Sequence, residues 1–194
     1  MDAPAESTSD LAGARARLLG ALREHALVLG EVTLTSGRTA QYYVDAKRAI
    51  LLPDAFAALG ALLAEQARTC RASAVGGVPI SAIPVACAAL GAGVAKAFIV
   101  RKERKAHGLQ RWIEGPPLQP GERCLVVEDV VTTGGSTIEA LQRVRAEGLV
   151  VAGVATVLDR LAGGGEAIRT ALGDGTPYVA LATIDEVYPE RPDR

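Results

Sequence analysis

Apolar and polar positions alternate in blocks along this chain, first at a helical period and then in short continuous runs. Leu11, Ala14, Leu18, Leu22 and Leu29 recur at helical spacing, which predicts a first helix capped by Asp10 and ending at Gly30. Val32–Leu34 and Gln41–Asp45 read as two short strands on either side of the polar turn Thr35-Ser36-Gly37-Arg38. Pro53 and Asp54 then open a second helix that runs to about Thr69. From there strands and helices alternate. Strands are predicted at Ala72–Val75, Lys96–Arg101, Arg123–Val127, Leu149–Leu158 and Tyr178–Thr183, with helices at Ser81–Leu90, Thr137–Glu147 and Glu166–Leu172.

The strand candidates are nearly continuous in Val, Leu, Ile and Ala, as strands covered on both faces are. Alternation with helices therefore predicts an α/β fold, a mostly parallel central sheet flanked by helices. Ligands of such sheets sit beyond the carboxyl ends of the strands. The segments after Val127, Arg101 and Leu158 all fall at such ends. With 194 residues and no internal repeat, residues 1–194 are read as a single domain, with 1–10 as a disordered lead-in.

Charge narrows the function. The formal net charge is −1, so no global attraction to nucleic acid or an anionic membrane is expected. Cys70, Cys87 and Cys124 are odd in number and lack C-x-x-C spacing, which fits reduced, buried thiols in a cytoplasmic protein. The two histidines, His25 and His107, lie far apart in the sequence. Residues 1–10 are acidic and polar, unlike a signal peptide. Ala72–Ala95 carries no charge, but its prolines, glycines and alanines predict a strand, a loop and a buried helix rather than a membrane span.

Cys124–Ser136, CLVVEDVVTTGGS, is the richest stretch in chemistry. An apolar strand leads into two adjacent carboxylates, and Ser136 with Glu139 has the spacing of a capping box that opens a helix. Thr132–Ser136 between them predicts a tight turn whose N–H groups converge at the positive helix end, a seat for phosphate. Glu128 and Asp129 would repel phosphate, so they suit hydroxyl groups or a bound cation. Together these parts predict a sugar-phosphate site. The chain contains no G-x-x-x-x-G-K-[ST], and Gly91-Ala92-Gly93 lacks the third glycine of a dinucleotide fingerprint, because residue 96 is Lys96.

A second signal is RKERKAHGLQRWIEG, residues 101–115, with Arg101, Lys102, Arg104, Lys105 and Arg111 against Glu103 and Glu114. It is read as a mobile active-site loop with His107-Gly108 as a joint and Trp112 as an anchor at one hinge. A lysine–phosphate contact at 4 Å is worth about 1 kcal/mol in water and about 4 kcal/mol at an effective dielectric of 20. Closure over a ligand thus strengthens each cation on the loop.

VVEDVVTTGGS resembles the phosphoribosyl-pyrophosphate (PRPP) motif of the type I phosphoribosyltransferases. RKERKAHG is similar to the mobile loop of the orotate-specific members, VTLTSGRTAQYYVD to their N-terminal segment and VLDR to their base-side strand end. The resemblance runs in order from about residue 30 to 160. It implies a type I phosphoribosyltransferase-like fold with a small N-terminal hood, and transfer of the 5-phosphoribosyl group of PRPP to orotate, giving orotidine 5′-monophosphate and pyrophosphate in pyrimidine synthesis. It implies PRPP binding by Arg101, Lys102, Lys105, His107, Glu128, Asp129, Val130, Val131, Thr132, Thr133, Gly134, Gly135 and Ser136. Lys105 and Asp129 would be catalytic, and Thr132, Arg160, Tyr42 and Tyr43 would bind orotate. Mg2+ would be held through PRPP and water, with no direct protein ligand, and the enzyme would be a homodimer whose loop reaches the neighbouring site.

Independently of the family, an arginine fork at Arg160 suits a carboxylate, although a salt bridge to Asp159 is the competing reading from the dipeptide. Adjacent strand residues face opposite sides, so at least one of Tyr42 and Tyr43 is expected to pack. Two positions depart from many relatives, which carry lysine where this chain has Thr35 and Ser81. The alternatives are transfer to a purine or uracil, which a base panel distinguishes, and a PRPP-binding regulator of nucleic acid, which a basic face would betray.

Overall fold

A computed structural model describes residues 8–33, 39–103 and 111–194. Six strands form one sheet in the order β5-β4-β3-β6-β7-β8, comprising β3 (Ala74–Gly77), β4 (Lys96–Val100), β5 (Ile113–Glu114), β6 (Arg123–Val131), β7 (Val150–Asp159) and β8 (Tyr178–Thr183). All pairings are parallel except the edge pair of β4 with β5. The intervening helices are α3 (Pro53–Thr69), α4 (Ala82–Gly91), α5 (Gly135–Ala146) and α6 (Gly164–Leu172).

Both faces of the sheet are buried. Along β6, Leu125 and Val127 join a core built with the first helix, α1 (Thr8–Ala21), and with α3 and α4, whereas Cys124 and Val126 join a second core with α5 and α6. Cys70 and Cys124 are buried as expected, but Cys87 lies on the outward side of α4 and is exposed. The period-two strand explains why this run is apolar at every position. β3 has room only for glycine at its end: a Cβ on Gly76 would strike Phe98, and one on Gly77 would strike the Val127 carbonyl and Ala82.

The N-terminal part shares that first core but carries its own two-stranded sheet. Helix α1 (Thr8–Ala21) continues through a π-helical turn, Leu22–Ala26, into β1 (Leu27–Thr33), which pairs antiparallel with β2 (Thr39–Val44). The short helix α2 (Lys47–Ile50) follows, and α7 (Ile184–Val187) succeeds β8.

Several expected boundaries move. The first helix does not reach Gly30: Leu27–Leu29 fit both periods, and pairing with β2 makes them strand. Asp10 lies inside the first turn of α1 rather than capping it. β6 does not stop at Val127 but carries the two acids to Val131, because its backbone keeps pairing with β7 at Glu128↔Thr156 and Val130↔Leu158. Residues 113–114 are a paired strand, so the far end of the basic segment belongs to the sheet edge. The turn Thr35–Arg38 and residues 104–110 lie outside the described residues.

Candidate active site

The carboxyl ends of β6 and β7 carry the chemistry. Glu128 and Asp129 are buried in the last turns of β6, at 5% and 7% exposure. Burial, the Asp129 charge and a hydrogen bond with the Asp129 carboxyl raise the Glu128 pKa to about 7. Glu128 thus keeps its proton into the neutral range. Ser136 Oγ lies 3.1 Å from Glu128 Oε2 and donates to it. Lys47 Nζ sits 3.9 Å from Asp129 Oδ2 and 2.7 Å from Asp45 Oδ1. Burial alone would lower the Lys47 pKa, but the Asp45 hydrogen bond and the Asp129 and Asp45 charges raise it overall.

Immediately beyond the acids the chain turns into α5. The expected capping box is absent, since the helix is entered through Gly134 at φ 80 and Ser136 is spent on Glu128. Glu139 pairs instead with Arg143, 2.9 Å away. The glycine is required there: the left-handed backbone disfavours a side chain, and a Cβ would come 2.8 Å from the Gly164 carbonyl. The intrahelical ladder begins with Ile138 N–H donating to Gly134 at 2.9 Å, so the N–H groups of Gly135, Ser136 and Thr137 precede it at the positive helix end. Thr132, Thr133, Gly135 and Ser136 are exposed, leaving an open seat for an anion. Val131 is buried in the core under α5 and α6 and Val130 packs against the opposite core, so the two position the motif from both faces of the strand.

The end of β7 brings Arg160 to the same place. Arg160 N–H donates to the Val131 carbonyl at 2.9 Å, and Gly164 N–H donates to the Thr132 carbonyl at 3.1 Å. Asp159 is not the partner of Arg160. It accepts from Tyr178 Oη at 2.7 Å and from Leu161 N–H at 2.8 Å, which locks the turn after β7. Arg160 reaches Tyr42: its Nη2 donates to the phenol oxygen at 2.9 Å and its guanidinium lies 4.9 Å from the ring centroid. Tyr42 is buried and Tyr43 is 40% exposed, as alternation along β2 requires.

Of the basic segment, Arg101, Lys102 and Glu103 are described, whereas Lys105 and His107 lie outside the described residues. Arg101 leaves the end of β4 and pairs with Glu114, and its backbone N–H donates to the Trp112 carbonyl at 2.8 Å. Trp112 is held at this hinge: Arg143 lies 5.0 Å from its ring centroid, and the Trp112 backbone N–H donates to Glu147 Oε1 at 2.7 Å. Both ends of the segment are therefore fastened side by side. Sequence reasoning missed Lys47 and Asp193. A lysine after a short strand looks like surface, and only the fold sets it beside Asp129. Ser81 stands at the N-terminus of α4, and Thr35 lies outside the described residues.

Among the described residues, no three or more His, Cys, Asp or Glu side chains form a metal-binding group. No helix there is long and apolar enough to cross a membrane.

An acid pair, a glycine-entered helix terminus and a strand-end arginine define a class of sugar-phosphate transferases, and the comparisons agree. Residues 73–171 match the family model described as phosphoribosyl transferase domain, slightly over half the chain. Orotate phosphoribosyltransferase of Corynebacterium glutamicum is 45% identical over 183 residues, covering 93% of this chain and 97% of that protein. The crystal structure of Mycobacterium tuberculosis orotate phosphoribosyltransferase in complex with Fe(III) dicitrate matches with a TM-score of 0.80 at 44% identity, over 90% of this chain and 99% of that one. The same enzyme in complex with PRPP matches with a TM-score of 0.74 at 38% identity, over 90% and 98%. This chain is a member of the phosphoribosyltransferase family. Within that family it belongs with the orotate phosphoribosyltransferases.

Proposed function

We propose that the chain transfers the 5-phosphoribosyl group of PRPP to a ring nitrogen of orotate, releasing pyrophosphate and forming orotidine 5′-monophosphate for pyrimidine nucleotide synthesis. The observation that carries this reading is the hydrogen bond from Arg160 N–H to the Val131 carbonyl. It sets a carboxylate-binding side chain beside the phosphate-seating turn. The 5′-phosphate sits on the N–H groups of Thr132–Ser136, and Glu128 with Asp129 receives the ribose hydroxyls.

The bond from the anomeric carbon to the pyrophosphate oxygen breaks as the bond to the orotate nitrogen forms, and the proton of that ring nitrogen is released to water. Positive charge grows on the ribose, which the Asp129–Glu128 pair stabilises through its net negative charge. Negative charge grows on the departing pyrophosphate, which Arg101, Lys102, Lys105 and His107 neutralise. The acid pair suits hydroxyls and a hydrated cation, so Mg2+ carried in by PRPP would supply further charge neutralisation at the pyrophosphate. The orotate carboxylate meets the Arg160 fork, with Thr132 and Tyr42 beside the ring and Tyr43 at its exposed margin.

The working unit in this reading is a cytoplasmic homodimer, with loop residues of one copy completing the site of the other. The test of the reaction is a base panel of orotate, uracil, hypoxanthine and adenine, each with PRPP and Mg2+. Turnover of orotate alone is expected. Turnover of a neutral base with none of orotate would overturn the assignment.

A further inference from the structure

The receptor assigned to the orotate carboxylate already holds a carboxylate from this chain. Tyr42 Oη donates to Asp193, with both carboxylate oxygens 3.0 Å away, and Arg160 Nη2 lies 3.8 Å from Asp193 Oδ2. The phenol thus accepts from Arg160 and donates to Asp193, so one receptor is shared between an internal anion and an external one.

The chain is built to bring Asp193 there. Thr183 and Glu186 form a reciprocal capping box that starts α7. Arg15 pairs with Glu186 at 2.7 Å, and Arg23 donates to the Glu186 carbonyl at 2.8 Å, so α7 is tied to the N-terminal unit. Tyr188 then meets the Tyr42 ring edge-on, with centroids 5.3 Å apart. Beyond that ring contact, Arg191 pairs with Asp185 and lies 3.3 Å from Asp193 Oδ1. Asp193 is more than half exposed while Arg160 is mostly covered, so the carboxylate approaches from the solvent side. On leaving Arg160 it still has Arg191, so release does not strand a charge.

We propose that Asp193 is a place-holder for the carboxylate of the incoming base, displaced only by a base that brings a carboxylate of its own. It is a specificity-determining residue rather than a catalytic one, and the proposal rests on the reading of Arg160 given above. Two carboxylates cannot occupy one guanidinium without repulsion, so orotate exchanges with Asp193. A neutral pyrimidine offers Arg160 nothing in return and leaves the segment seated. Competition of this kind weakens apparent affinity by the fraction of molecules whose receptor is open.

The Asp193→Asn variant keeps the side-chain volume and removes the charge. Its KM for orotate is expected to fall about fivefold, the reciprocal of an open fraction of about 0.2. Hydrogen exchange over Tyr188–Arg194 supplies a second readout in the unaltered protein. Orotidine 5′-monophosphate should accelerate exchange there, and uridine 5′-monophosphate, which lacks only the carboxylate, should not. A KM unchanged or raised in Asp193→Asn, or equal exchange with both nucleotides, overturns the proposal. Arg160→Gln separates the two levels of argument. If it turns over orotate normally, the receptor assignment itself fails. If it loses activity while Asp193→Asn behaves like the parent, only the place-holder fails.

Discussion

Glu128 pays a stability cost for its position, and the sign of that cost is testable. Its raised pKa means that the folded state keeps a proton which the unfolded chain releases near the ordinary carboxyl value. Its contribution to stability is fully present at low pH, below that ordinary value, and is lost as pH rises through about 7. Glu128→Gln mimics the protonated group, so it should leave stability nearly unchanged at about pH 4.5 and add about 1–3 kcal/mol at pH 8. Thermal unfolding at the two pH values checks this, and an equal gain at both would refute it. The same variant should lose turnover chiefly above about pH 7, where Glu128 is ionised and the amide removes a charge that the acid would carry. Lys47 makes a complementary case. Lys47→Met removes the cation beside Asp129 and should lower kcat/KM for PRPP at least about tenfold, with Lys47→Arg restoring most of it. The acids were legible in the sequence because two adjacent carboxylates interrupt an apolar strand. Lys47 was not, since its role exists only once the fold sets its ammonium beside Asp129.

At the scale of elements, the phosphate seat depends on a close approach that no local pattern announces. Gly164 opens α6 and donates to the Thr132 carbonyl, and a Cβ there would lie 2.5 Å from that oxygen, 2.7 Å from Val131 Cγ1 and 2.9 Å from Gly134 N. Gly164→Ala must therefore push the 132–136 turn away from α6. The expected result is an increase of about tenfold or more in KM for PRPP with far-ultraviolet circular dichroism preserved, measured by steady-state kinetics beside a thermal melt. An unchanged KM would show that the turn has room to yield. The helices and most strands were readable because their apolar periods are long enough to choose between 2 and 3.6. Leu27–Leu29 satisfied both, and tertiary pairing decided. Ile113–Glu114 is too short for any period to register. The apparent capping box at Ser136 failed for a different reason: the strand continued past its acids, and the buried Glu128 claimed the hydroxyl.

The whole molecule is organised so that each side of the reaction comes from a different part of the chain. The acids lie on β6 and the glycine turn follows it, the Arg160–Tyr42 pair joins the end of β7 to β2, and the basic segment springs from β4, two strands and roughly 10 Å from β6 at ordinary strand spacing. Arg101 and Trp112 fasten the two flanks of that segment beside each other. If the loop serves the neighbouring copy, inactivating it and inactivating the acids should be separable lesions. Lys105→Ala and Asp129→Asn would each be inactive alone. After subunit exchange, half of the dimers would be mixed, and each mixed dimer would hold one site with both residues intact. Activity should recover to about a quarter of the parent's, and removal of the mixed dimers by differential tagging should abolish it. No recovery, in a mixture shown by mass to contain mixed dimers, would mean that Lys105 acts on the Asp129 of its own chain.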